Sequence, residues 1–73
     1  MIAIQDRTCI FYLRNEDILE MIEDITRKEV DIKFKNSVSQ EILRIDDITV
    51  TELHEILISG TYKFIKKRFR RMK

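Results

Sequence analysis

Thr61-Tyr62-Lys63-Phe64-Ile65-Lys66-Lys67-Arg68-Phe69-Arg70-Arg71, followed by Met72-Lys73, is the stretch on whose reading the fold turns. From Lys63 to Lys73 there are seven basic side chains and no acidic one. Tyr62, Ile65, Phe69 and Met72 recur at intervals of three or four, the spacing of one helix face. The reading that follows is a basic amphipathic helix over residues 61–73, extending from the body of the chain.

Upstream, Thr49-Val50-Thr51-Glu52 fits a capping box, so the last helix is predicted to begin there. Leu53, Leu57, Gly60 and Phe64 make one stripe along it, and Ile58, Tyr62, Ile65, Phe69 and Met72 make a second. An unbroken helix to the end has about 22 residues and a length of about 33 Å, more than a small sheet covers. The second stripe has heptad-like spacing, and its five residues are the expected interface of a homodimer. Gly60 is the point at which this helix would break.

Toward the N-terminus, Met1 to Leu13 reads as strand. Ile2 and Ile4 alternate, Phe11 and Leu13 fall with Cys9 on one face, and Ile10 and Tyr12 lie on the other. The polar break Gln5-Asp6-Arg7 divides it into a hairpin. Asn15 is a good N-cap, Glu16 and Asp17 suit a first turn, and Ile18, Met21, Ile22 and Ile25 give one apolar face, which predicts a helix over 15–28. Val30, Ile32 and Phe34 alternate with Asp31, Lys33 and Lys35 as a strand, Asn36-Ser37 offers a turn, and Ser39 to Ile48 returns as a second strand.

The fold class expected is therefore α+β over residues 1–73 as a single domain. It is a small antiparallel sheet of three or four strands with two helices, in the order β(β)-α-β-β-α, ending in the long basic helix. The core expected is Ile4, Phe11, Leu13, Ile18, Ile22, Ile25, Val30, Ile32, Phe34, Leu43, Ile45, Leu53 and Leu57.

Charge is divided unequally. Residues 1–62 carry all thirteen carboxylates against seven cations, a net −6, and the remainder carries +7, although the whole chain is only +1. One cysteine rules out an internal disulfide, and no Cys/His grouping has zinc-ligand spacing. No apolar run is long enough to span a bilayer, and no secretory signal opens the chain, so the expectation is a cytoplasmic protein with no membrane partner and no metal. His54 is the only imidazole and reads as a surface helix residue, and Cys9 reads as a small core hydrophobe. No catalytic pairing, cofactor loop or small-molecule site emerges, which predicts a protein that is not an enzyme.

Two surfaces remain as candidates. Lys63, Lys66, Lys67, Arg68, Arg70 and Arg71, interleaved with aromatic residues, have the composition that neutralises phosphates and stacks bases. The expected role is a small regulatory or inhibitory protein that engages nucleic acid, and an isoleucine-rich composition with thirteen Ile to five Leu suggests an AT-rich phage or mobile element as its source. The alternative is a protein-binding inhibitor of a host replication or transcription component. In that reading Glu16, Asp17, Glu20, Glu23 and Asp24 would line a helix face and imitate the phosphates of DNA. Gln40-Glu41-Ile42-Leu43-Arg44-Ile45 also resembles the short glutamine-x-x-leucine-x-apolar peptides that dock on bacterial sliding clamps.

Overall fold

The computed structural model describes residues 1–35 and 40–72, so Asn36-Ser37, the Ser39 start of the expected strand and Lys73 lie outside the described residues. Among the described residues, seven strands form two sheets beside one α-helix. They run β1 (Ile2–Asp6), β2 (Cys9–Leu13), a 3-10 turn (Asn15–Asp17), β3 (Ile18–Asp24), β4 (Glu29–Phe34), β5 (Ile42–Asp46), α1 (Val50–Ile58), β6 (Lys63–Lys66) and β7 (Phe69–Met72). The first sheet has the order β2-β1-β6 and the second β3-β4-β5-β7. All pairings are antiparallel except β1 with β6, which is parallel.

The two-helix expectation with a long C-terminal helix is overturned. Helix 15–28 is replaced by the 3-10 turn and β3, whose pairing with β4 slips register between Ile18 and Glu20. An extra residue at that bulge puts Ile18 and Met21, three apart, on the same inward face, where a regular strand would set them on opposite faces. A bulged strand and a helix therefore share the spacing on which the helix was read. Ile22 and Ile25, assigned to the core on helical spacing, are exposed, Ile25 to 79%. The turn back into β4 is tied by Asp24 Oδ1, which accepts from the Arg27 N–H at 3.1 Å, with Lys28 at φ 55.

The second helix does start where the cap places it. The Thr49 hydroxyl accepts from the Glu52 N–H at 3.1 Å, and Glu23 Oε1 accepts from the Val50 N–H at 2.8 Å, setting a carboxylate at the positive end of the helix dipole. It ends at Ile58, where Ser59 caps it and Gly60 follows in the left-handed region at φ 75. The chain then becomes strand. β6 runs along β1, Lys67 donates from its backbone to Gln5 O at 3.1 Å, and Arg68 O accepts from Asp46 N at 2.9 Å as β7 joins β5. The basic segment thus passes from one sheet into the other and completes both. The molecule measures 28 × 27 × 26 Å, with no projecting helix among the described residues.

Both sheets turn one face to a shared core. Ile2, Ile4 and Leu13 from the first sheet meet Ile18, Val30, Ile32, Leu43 and Ile45 from the second, and Ile48, Leu53 and Leu57 lie on them. Ile2, Ala3 and Ile48 are buried although the sequence reading omitted them, whereas Phe11 and Phe34 are only partly covered. Phe11 sits between Phe34 and Phe69, at ring-centroid distances of 5.9 and 6.1 Å. Cys9, expected inside, is exposed beside the β1–β2 turn.

Candidate nucleic-acid interface

The parallel pairing of β1 with β6 decides which side chains meet. Asp6 and Cys9 close the β1–β2 hairpin, leaving Arg7-Thr8 as its two-residue loop with Arg7 at φ 54. Because β6 ends opposite Gln5, the Lys67-Arg68 link lies next to that loop. A shallow depression there is lined by Gln5, Asp6, Arg7, Lys66, Lys67 and Arg68. A second shares Asp6, Arg7 and Arg68 with it and adds Asp46 and Arg70. Five cations and two carboxylates thus surround one continuous surface at the junction of the two sheets.

The six tail cations singled out in the sequence divide into two sets. Lys67 Nζ donates to Asp47 O at 2.7 Å and lies 3.4 Å from its carboxylate. Arg70 donates to Glu29 Oε2 at 2.8 Å and to Asp46 Oδ1 at 3.4 Å. Arg71 Nε lies 3.0 Å from Glu41 Oε1, and its guanidinium stands 5.0 Å from the Phe11 ring centre. Lys63, Lys66 and Arg68, together with Arg7, form no ion pair among the described residues. Lys63, Lys66, Arg68 and Arg7 are also solvent-exposed. Sequence reasoning missed Arg7, whose only signal was its place in a polar break between two strand-like runs.

Beside this surface, the outward face of β4, β5 and β7 carries an ionic network. Arg44 grips Asp31 through one guanidinium edge, Nε to Oδ1 at 2.7 Å and Nη2 to Oδ2 at 2.9 Å. Arg44 and Arg70 are Cα partners across β5 and β7, an arrangement that would repel were Glu29 not beside both, 4.0 Å from the first and 2.8 Å from the second. The hydrogen bonds from Arg44 hold the Asp31 carboxyl below the ordinary carboxylate range, burial opposes them, and the charges of Arg44 and Arg70 add to the lowering. In turn Asp31 raises the Arg44 guanidinium.

A pH dependence follows with a definite sign. Since the folded-state value of Asp31 is depressed, its contribution to stability is complete above the unfolded value of about 3.9 and disappears as pH falls through the folded value. Urea midpoints should therefore drop between about pH 5 and pH 3, and Asp31→Asn should flatten that drop. An equally steep fall in the variant would remove Asp31 as the cause.

Glu16 and Asp17 lie in the 3-10 turn, with Arg14 3.0 Å from Asp17. Glu20 is 3.8 Å from Lys33, Glu23 caps α1 and Asp24 ties its own turn. The acidic helix 15–28 does not form, and its five carboxylates are not set along one face. In the expected dimer seam, Ile65 and Phe69 pack against the core, Met72 is half-buried, and Ile58 and Tyr62 are exposed. The helical stripe that would have joined them is absent. Leu43 of the clamp-like hexapeptide is buried in a central strand, with 1% of its surface accessible, so that segment is not free to dock as a peptide.

Among the described residues no helix is long and apolar enough to cross a membrane, and no three His, Cys, Asp or Glu side chains form a group able to hold a metal ion. Cys9 at the start of β2 and His54 on α1 share no hydrogen bond. Comparison with protein-family models, curated proteins and solved structures gave no match for this chain.

Proposed function

We propose that this chain is a non-enzymatic regulatory protein that binds nucleic acid through the surface formed by the β1–β2 turn and β6. The observation that carries the reading is the convergence of Arg7, Lys66 and Arg68, drawn from both ends of the sequence, with no carboxylate partner for any of them among the described residues. Cations already held by carboxylates bring less to a phosphate than unpaired ones, because the new contact replaces an existing one. Asp6 moderates the field at this surface without neutralising any of the three in an ion pair. The depressions are open and polar, which suits a charged backbone passing over them better than an enclosed small molecule. Regulation would follow from occupying the nucleic acid rather than from chemistry on it.

The test is fluorescence anisotropy with labelled oligonucleotides at several salt concentrations. Three neutralised phosphates predict a slope of log affinity against log salt of roughly −2 on single strands and −3 on duplex. Arg7→Glu, Lys66→Glu and Arg68→Glu together should weaken binding at least tenfold at low salt while leaving the circular dichroism spectrum unchanged, since exposed substitutions cost about 0.5 kcal/mol or less each. Absence of binding at low salt, or indifference to the triple change, would contradict the proposal and favour a protein partner.

A further inference from the structure

We infer that the nucleic acid is single-stranded and that its bases stack on Tyr12 and Phe64, an inference that rests on the nucleic-acid reading above. Register fixes the geometry. Ala3 is the Cα partner of Tyr12 on one side and of Phe64 on the other, so the three lie in one row across β2, β1 and β6. Ile2, Ile4, Leu13, Phe11 and Ile65 point into the core from the alternate positions, so this row faces outward. Tyr12 is 59% exposed and Phe64 46%, and neither ring pairs with another among the described residues. Between them Ala3 is wholly covered, a small residue flanked by the two aromatic positions.

The next row on the same face is Ile10, Gln5 and Lys66, and beyond it lies the Arg7 turn. Aromatic rings therefore lead directly into the unpaired cations, over about 13 Å along β1 at 3.3 Å per residue. Charge decides the occupant. A second copy of the chain laid on this face would bring like charges together at Lys66 and Arg7, whereas a single strand supplies phosphates for the cations and unstacked bases for the rings. Duplex offers the phosphates but keeps its bases stacked on one another, out of reach of exposed rings on a sheet face.

The sequence contains no tryptophan, so Phe64→Trp provides a unique fluorescent reporter in the intact chain. Oligothymidylate, oligouridylate and a duplex of equal length are titrated against it. The inference expects quenching of the indole by one or both single strands and none by the duplex, which distinguishes DNA from RNA in the same experiment. Tyr12→Leu and Phe64→Leu should each weaken single-strand affinity about tenfold and leave duplex affinity unchanged, with Tyr12→Phe retaining wild-type binding. Equal affinity for duplex and single strand, with no effect of either leucine variant, would overturn the stacking inference while leaving the basic-surface reading intact. Loss of binding to every oligonucleotide in the wild type would overturn both.

Discussion

Ile32→Ala should lower the unfolding free energy by about 3 kcal/mol, whereas Ile25→Ala should change it by no more than about 0.5 kcal/mol. Both isoleucines were core residues on sequence spacing. In the folded chain Ile32 is fully buried on β4, with Met21 and Leu43 as its partners on the neighbouring strands, and Ile25 stands in the β3–β4 turn with most of its surface in water. Truncating Ile32 removes three carbons from a site walled on both sides by paired strands, which cannot collapse freely onto the gap. A chain of this length has a total stability of only about 4 to 11 kcal/mol. Loss of 3 kcal/mol would then lower the melting temperature by on the order of 15 °C. Urea denaturation followed by circular dichroism separates the two variants, and a comparable loss in Ile25→Ala would mean that residues 18–25 pack as a helix after all.

Arg44→Met carries the second large effect, expected at about 2 to 4 kcal/mol. Its side chain and that of Asp31 are each about one quarter exposed, 25% and 23%, so the pair is shielded enough for its geometry to count but not buried outright. Removing the guanidinium leaves Asp31 without its two hydrogen bonds and leaves Glu29 with Arg70 alone. Arg44→Lys should recover only part of the loss, because an ammonium cannot bridge both carboxylate oxygens. The double change Arg44→Met with Asp31→Leu should recover more, since no isolated carboxylate remains. Chemical denaturation at pH 7 measures all three, and a double variant as unstable as Arg44→Met would contradict this assignment of the cost.

Where the chain could be read directly, the signals were local. Thr49 and Glu52 mark the start of α1 by a hydroxyl-to-amide bond three residues away, and Val30, Ile32 and Phe34 keep an unbroken alternation because β4 is regular throughout. The hairpin at Gln5-Asp6-Arg7 was visible for the same reason. Residues 61–72 were misread because their inward positions in the strands are Lys63 and Ile65 in β6 and Phe69 and Arg71 in β7, two apolar and two cationic. Lys63 is exposed and Arg71 reaches out to Glu41 from those positions, so the alternation of a strand is hidden and the four-residue interval from Ile65 to Phe69 looks helical.

The site was legible as composition but not as a surface. Seven cations in a short tail are visible as composition, yet the placing of Lys66 and Arg68 beside Arg7, and of Phe64 in one row with Tyr12, depends on β6 lying parallel to β1, a pairing between opposite ends of the chain. No local spacing encodes a contact of that sequence separation. Alternation had already placed Ile10 and Tyr12 on the face opposite Phe11 and Leu13, and the fold adds that this face is left open to water.

Nuclear magnetic resonance of nitrogen-15-labelled protein, titrated with a short single-stranded oligonucleotide at low salt, tests the account most directly. Amide shifts are predicted at Ala3, Gln5, Arg7, Tyr12, Phe64, Lys66 and Arg68, and they should reverse as salt is raised. No shifts at saturating oligonucleotide, or shifts confined to α1 and the acidic residues of β3, would contradict it.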